Sequence, residues 1–277
     1  MNCLKLPFWL IDAFADEPYS GNAAGVVLLE NDLPDAVYQK IAMEVNHPET
    51  AFLIQIEDGW SLRWFTPTKE VNLCGHATLA AASVLYDTRQ IHQAKFHTRS
   101  GVLHSLVENG QVLLDFPKQP LKALALDPRV GPALFPGGVP AGAILSYWQA
   151  SEDWLAELDS PERVIALAPN LDQVAQLGGR GLIATAKGGP AGIDFVSRFF
   201  APQFGVPEDP VTGSAHCALA PFWGSRLGKI KMRGKQCSAR SGIVGVELLG
   251  ERVILSGQAH TTIQGTVLAP LWDESRV

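Results

Sequence analysis

No two of the four cysteines in this 277-residue chain form a C-x-x-C pair; Cys3, Cys74, Cys217 and Cys237 are widely scattered. That spacing offers neither a zinc cluster nor a disulfide framework, and it suits a reducing compartment, so a cytoplasmic protein is expected. Long apolar runs are missing as well. The early run from Leu6 to Ile11 is closed by Asp12 and is too short for the apolar region of a secretory signal. The uncharged stretch from Val130 to Ser151 contains Pro132, Pro136, Pro140 and four glycines, which would break a membrane helix repeatedly. No membrane partner is expected.

Positive charge is in deficit. Lys and Arg number 22 against 28 Asp and Glu, a net charge of -6, which disfavours nucleic acid as a partner because phosphate neutralisation needs a cationic surplus. The basic residues Lys229, Lys231, Arg233, Lys235 and Arg240 are a local exception. They read as a solvated strand edge or loop, with an anionic partner as the alternative.

Several chemical signatures are also lacking. There is no G-x-G-x-x-G, and Gly224 to Lys229 falls one residue short of a phosphate-binding loop and lacks the Ser/Thr after it. No H-E-x-x-H or close His/Asp cluster marks a metal site, and no G-x-S-x-G elbow accompanies Ser214. A chemistry without cofactor or metal is therefore expected.

What is present is globular: hydrophobic residues make up 47% of the chain and charged residues 18%. Short strand patterns dominate, at Leu4 to Ile11 (with Leu4, Leu6, Phe8 and Leu10 on one face), Ala24 to Leu29, Ala51 to Ile56 and Leu62 to Phe65. Val102 to Val107 and Val112 to Phe116 are joined by Asn109-Gly110, a hairpin dipeptide. Asp35 to Val45 reads as a surface helix with Ala36, Val37, Ile41 and Val45 on its apolar side.

The chain also echoes itself. Arg63-Trp64-Phe65-Thr66-Pro67 reappears as Arg198-Phe199-Phe200-Ala201-Pro202, 135 residues later. Downstream, Gly75-His76-Ala77-Thr78-Leu79-Ala80-Ala81 reappears as Gly213-Ser214-Ala215-His216-Cys217-Ala218-Leu219 after 138 residues, so three residues are inserted between the two markers. A spacing near half the chain predicts a duplicated unit rather than a solenoid. Both helical runs are apolar on every side and must be enclosed. The expectation is an α+β protein of two pseudosymmetric halves, residues 1–118 and 119–277, each a sheet curled around a buried helix, with the last residues free to cross back to the first half. Pro117, Pro120 and the Pro/Gly-rich region after Asp127 mark the crossing.

Helix N-termini present unpaired N–H groups and partial positive charge, so Gly75 and Gly213 are candidates for holding a carboxylate or phosphate in a shared cleft. Both can equally be residues that allow tight entry into a helix. Three ionisable groups lie near them. Glu49 precedes the apolar Ala51-Phe52-Leu53, a context in which burial would suit a carboxyl group to proton exchange near neutrality. Asp209 stands four residues before Gly213, and His76 follows Gly75 directly. Solvated strand entry, turn formation and helix capping are the respective plain alternatives.

At this point the chain resembles a known family. Asp12-Ala13-Phe14, Gly21-Asn22, Glu49-Thr50-Ala51-Phe52, Arg63 to Pro67, Leu73 to Thr78, Phe200-Ala201-Pro202, Glu208 to His216 and Gly257-Gln258-Ala259 are similar to motifs of the phenazine-biosynthesis PhzF-like proteins. The resemblance implies the diaminopimelate-epimerase-like fold of two β-rolls, each around a central helix, usually as a homodimer. It implies an isomerase acting without a cofactor on a small carboxylate-bearing substrate. Its catalytic carboxylate would match Glu49, helped by His76, Asp209 and Ser214, with Asn22, Gly75, Ala77, Thr212 and Gly213 against the substrate. The chain departs from many relatives in Gly21-Asn22-Ala23-Ala24, where Pro often follows the Asn, and in His47-Pro48 before Glu49. Related racemases use a thiol before each helix-opening Gly. Here Cys74 precedes Gly75 but Thr212 precedes Gly213, which disfavours a two-thiol racemase and leaves an epimerase using Cys74 as a second reading. Cys217, about one turn inside its helix, is expected to pack in the core. A non-catalytic anion-binding protein on the same scaffold is the third reading.

Overall fold

Alternating apolar positions build most of this molecule as strands. The computed structural model describes residues 3–189 and 191–270. The first half contains β1 (Cys3–Ala13), β2 (Asn22–Leu29), α1 (Asp35–Val45), β3 (Glu49–Ile56), β4 (Gly59–Phe65) and β5 (Glu70–Val71). It continues through α2 (Gly75–Arg89), β6 (Gln93–Thr98), β7 (Gly101–Glu108) and β8 (Gln111–Pro117). Next come β9 (Leu121–Leu124), α3 (Val130–Leu134), β10 (Ile144–Ala150), β11 (Asp153–Leu158), α4 (Pro161–Ile165), α5 (Leu171–Ala175), β12 (Leu182–Lys187) and β13 (Phe195–Phe200). The described chain closes with α6 (Gly213–Leu227), β14 (Lys231–Gln236), β15 (Gly242–Leu249), β16 (Arg252–Gly257) and β17 (Ala259–Pro270).

The strand pairings repeat. From β1 to β8 the partners run β1–β2 antiparallel, β2–β3 parallel, β3–β4 antiparallel, β4–β6 parallel, β6–β7 antiparallel and β7–β8 antiparallel. From β10 to β16 the same succession holds, with β10–β11, β11–β12, β12–β13, β13–β14, β14–β15 and β15–β16. Antiparallel pairing of β8 with β16 joins the two series. Each half then sends its next strand to the other: β9 pairs with β10, and β17 pairs with β1.

The repeated sequence motif has a physical meaning. Arg63 donates from Nε and Nη2 to the two carboxylate oxygens of Glu70 at 2.8 and 2.7 Å, and its guanidinium stacks over Phe65. Arg198 grips Glu208 in the same fork at 2.7 and 2.8 Å and stacks over Phe200. Bidentate pairs of this kind fix geometry as well as adding energy. The glutamates sit 7 and 10 residues after their arginines, so the insertion inferred from the motif spacing falls inside this second loop, where Pro202–Phe204 forms a short 3-10 turn.

Both central helices are enclosed. Ten consecutive residues of α2, from His76 to Leu85, are buried, and α6 is buried from Ala215 through Ala220 and again at Phe222 to Gly224. Their side chains belong to one apolar core shared by both halves, which includes Trp64, Phe96, Phe195 and Trp223. Cys217 lies in that core, and burial pushes its thiol up to about 12. The outer layer differs from expectation in two places. Leu4, Leu6 and Phe8 face α1, while Trp9 and Ile11 of the same strand supply the roll interior, so both faces of β1 are apolar. On α1, Ala36 is exposed, and Tyr38 takes its place, stacking on Phe65 and meeting Phe52 edge-on. Sequence reading assigned the small residue to the packed face because the polar tip of Tyr38 disguised its ring. The turn at Asn109-Gly110 has both residues at positive φ, the hairpin geometry that the dipeptide favours.

Ala80 is 0% exposed at the centre of α2. An unpaired carboxylate there costs several kcal/mol at least, so Ala80→Asp should abolish the cooperative unfolding transition. Circular dichroism during a thermal melt is the check, and a native-like transition in the variant would contradict the enclosed-helix architecture.

Candidate functional site

The N-termini of α2 and α6 meet back to back. A Cβ built on Gly75 would stand 3.7 Å from the Gly213 Cα, and one built on Gly213 would stand 3.6 Å from the Gly75 Cα. Each helix is entered from an extended residue, Cys74 or Thr212. One turn in, the halves solve the same problem with different chemistry: Thr78 Oγ1 donates to the Cys74 carbonyl at 2.6 Å, and His216 Nδ1 donates to the Thr212 carbonyl at 2.9 Å. Two helix N-termini, whose first N–H groups lack helical partners, therefore lie side by side.

Glu49 opens β3 and reaches this point from the sheet. Its Oε2 lies 3.2 Å from His76 Nε2, and a fifth of the Glu49 side chain is exposed against 7% for His76. On its other side the ring places Nδ1 3.3 Å from Asn22 Nδ2 and 3.5 Å from Cys74 Sγ. Asn22 is fully buried and donates to Asp209 Oδ1 at 2.8 Å and to the Val211 carbonyl at 3.0 Å. Thr212 Oγ1 donates to Asp209 Oδ2 at 2.5 Å. Four residues far apart in sequence, Glu49, His76, Asn22 and Asp209, thus form one connected polar chain between the halves. Ala77 is buried behind it, and its N–H lies against the Cys74 sulfur.

Local backbone explains how Asn22 arrives there. Gly21 sits at φ 66°, and a Cβ on it would strike the Ala13 carbonyl oxygen at 2.3 Å; only glycine fits that turn. Its N–H donates to the Ser241 carbonyl at 2.6 Å, and its own carbonyl accepts from Arg240 Nε at 2.9 Å. Arg240 also pairs with the buried Asp12 at 2.6 Å, so it is a clamp between the halves. Two further members of that basic group are paired as well: Lys229 with Asp194 at 2.5 Å and Lys231 with Glu247 at 3.0 Å.

Charge is finely set in this cluster. Burial opposes charging of His76, but its hydrogen bonds to the Cys74 sulfur and the Glu49 carboxylate hold it above its ordinary range. Burial, joined by the Glu49 charge, pushes the Cys74 thiol up to about 11, so it is protonated at neutral pH. Burial also raises Asp209, opposed by His76 and by hydrogen bonds from Thr212 and Asn22.

A family model described as phenazine biosynthesis-like protein, PhzC-PhzF, matches residues 11–265. The chain belongs to the phenazine biosynthesis-like family. An uncharacterized isomerase of Pseudomonas aeruginosa is 43% identical over 95% of this chain and 99% of its own length. A phenazine biosynthesis-like domain-containing protein of Homo sapiens is 38% identical, covering 96% of this chain and 100% of its own. Among solved structures, a PhzF family protein of Enterococcus faecalis superposes with a TM-score of 0.89 at 37% identity, over 95% of this chain and 99% of that one. A hydroxyproline epimerase from Agrobacterium vitis shares the fold alone, with a TM-score of 0.61 at 12% identity, over 98% and 94%.

The phenazine biosynthesis-like match spans the polar chain and also residues that sequence reading missed. Arg180 donates from Nη2 to Ser214 Oγ at 2.8 Å and grips Asp153 through Nε and Nη2. With a cation donating into Oγ, the Ser214 hydroxyl hydrogen is left to point elsewhere. Gln236 is fully buried; it accepts from the Thr212 N–H at 2.9 Å and donates to the Asp209 carbonyl at 2.8 Å. Arg180 stands in Gly-Gly-Arg-Gly and Gln236 in a basic run, so neither had an apolar or motif context to flag it.

Strand register exposes an asymmetry as well. Thr50 pairs with Phe65, and Leu182 pairs with Phe200. Since Phe65 and Phe200 are equivalent in the repeat, the counterpart of Glu49 is Gly181. The second half offers no carboxylate at that position.

His216 gives a pH prediction. Burial pushes it from an ordinary 6.5 down to about 4. Between those values the unfolded chain binds a proton that the folded chain refuses, so stability rises with pH across that window and is lost on acidification. At 1.36 kcal/mol per pKa unit the loss from this group is about 3 kcal/mol. His216→Thr copies Thr78 of the other half. Urea unfolding from pH 7 to pH 4 should show a pH-dependent loss smaller by about 3 kcal/mol in the variant than in the parent, whatever constant cavity penalty it carries.

Proposed function

We propose that this chain is an isomerase that moves a proton within a small carboxylate-bearing metabolite, using Glu49 as its single acid and base. One observation carries the reading. Glu49 is a partly open carboxylate at the meeting of two helix N-termini, while the equivalent position of the other half is Gly181. The isomerase names of relatives and their near-complete overlap with this chain support the reaction class.

In this proposal the substrate carboxylate rests on the N–H groups around Gly75 and Gly213, with Ala77 and Thr212 framing the helix entries. Glu49 takes a proton from one carbon and returns it to another, a transfer that calls on no cofactor. His76, held protonated more readily than an ordinary histidine, donates to Glu49 and steadies its charge. Asn22, fixed by its bonds to Asp209 and Val211, keeps the ring in place. Asp209 is the half-buried acid behind them, and Ser214, polarised by Arg180, directs its hydroxyl hydrogen at the substrate. Thiol-based epimerisation is less well supported, because Cys74 is held as a neutral thiol and Thr212 faces it across the pseudosymmetry.

A scan of metabolite extracts in D2O for enzyme-dependent deuterium uptake identifies the substrate; total silence would favour a non-catalytic anion binder. On that substrate, Glu49→Gln should lower kcat by at least ~10²- to 10⁴-fold, the usual worth of a positioned acid–base group, with KM nearly unchanged. Cys74→Ser should lower it far less. An active Glu49→Gln beside a dead Cys74→Ser would replace this reading with the thiol epimerase.

A further inference from the structure

Glu49, Cys74 and His76 bring a carboxylate oxygen, a sulfur and a ring nitrogen to one place. His76 Nε2 lies 3.2 Å from Glu49 Oε2 and 4.0 Å from Cys74 Sγ, and the three ligand atoms all fall within 4.8 Å of one another. A tetrahedral zinc-class ion, bound at about 2.3 Å to sulfur and about 2.0–2.1 Å to nitrogen and oxygen, needs ligand–ligand edges of roughly 3.3–3.7 Å. The observed spacings bracket that range, and closure requires side-chain shifts of about an ångström by the same arithmetic.

Two of the three ligands ride on one rigid element. Cys74 is the entry residue of α2 and His76 the second residue inside it, both buried. Glu49, a fifth exposed, comes from the sheet and leaves an approach for an ion and for a water as fourth ligand. The charges balance, since a thiolate and a carboxylate together neutralise a dication. Sulfur with imidazole selects zinc-class ions over magnesium or calcium. On binding, the Cys74 thiol proton and the proton that His76 Nε2 shares with Glu49 both leave to solvent, and the freed sulfur and ring-nitrogen lone pairs take the metal. Sequence spacing pointed to no metal because Glu49 stands 25 residues before Cys74; the fold supplies the third ligand.

We propose that Glu49, Cys74 and His76 form a site for one thiophilic divalent cation of the zinc class, and that its occupation inhibits the protein by tying up the proton-carrying carboxylate. The inhibition rests on the function proposed above; the site itself does not.

The test titrates the full chain, first stripped with a chelator, with Co²⁺ and then competes with Zn²⁺. The expected result is saturation at one equivalent, with a thiolate-to-cobalt charge-transfer band in the near ultraviolet that zinc displaces. Cys74→Ser should remove the band and weaken binding at least ~10-fold, and Glu49→Gln should keep the band while weakening binding at least ~10-fold. Cys3→Ser, at an exposed thiol, should change nothing. Circular dichroism checks folding, and the partly exposed Glu49 keeps the test decisive if Cys74→Ser does not fold. No saturable binding, a band that survives Cys74→Ser, or one lost with Cys3→Ser overturns the site. Saturable zinc that leaves substrate deuterium exchange intact overturns the inhibition. A fully active Glu49→Gln with weakened cobalt binding overturns the proposed function instead and leaves the site standing.

Discussion

Everything at the centre of this protein depends on two helix ends that touch. Gly75 and Gly213 allow the backbones of α2 and α6 to approach within ordinary van der Waals distance of a missing side chain. A Cβ at either position would already meet the other helix in ordinary contact, so it is bulk beyond Cβ that would crowd this seam. The approach concentrates unpaired N–H groups where the halves meet. Polar bonds also gather at this seam, where Asn22 and Thr212 donate to Asp209 and Gln236 accepts from the Thr212 N–H.

Pseudosymmetry supplies the frame, and its violations single out the residues at the centre. The Arg63–Glu70 and Arg198–Glu208 forks, the paired entry residues and the bonds from Thr78 and His216 are common to both halves. Against that background Glu49 facing Gly181, His76 facing Ser214 and Cys74 facing Thr212 stand out. A duplicated scaffold with one carboxylate suits a reaction in which a proton leaves and returns at one group. It suits poorly a reaction that needs matched bases on opposite faces.

Much of this was legible in the sequence. Helices apolar all round had to be enclosed, and the doubled Arg-aromatic-Phe-small-Pro marker announced the duplication together with its three-residue insertion. Glu49, His76 and Asp209 were legible as candidates through their neighbours. Their joining was not, because the Asn22–Asp209 bond spans 187 residues and no local pattern encodes such a contact. Arg180 and Gln236 were hidden for the same reason. Their partners are set by strand register and by crossing strands, not by spacing along the chain. The packing of α1 failed for a different cause: Tyr38 presents a ring to the sheet and a hydroxyl to its rim, which a polar-or-apolar reading cannot divide.

The central claim is that one carboxylate both takes and returns the proton, and isotope retention in a single turnover tests it most directly. With the substrate deuterated at its labile carbon and the reaction run in H2O, a single carrier predicts product in which part of the original deuterium survives at the new carbon. Product carrying only solvent hydrogen at the new carbon, even in the first turnover, would contradict an account in which the proton stays on Glu49 between the two carbons.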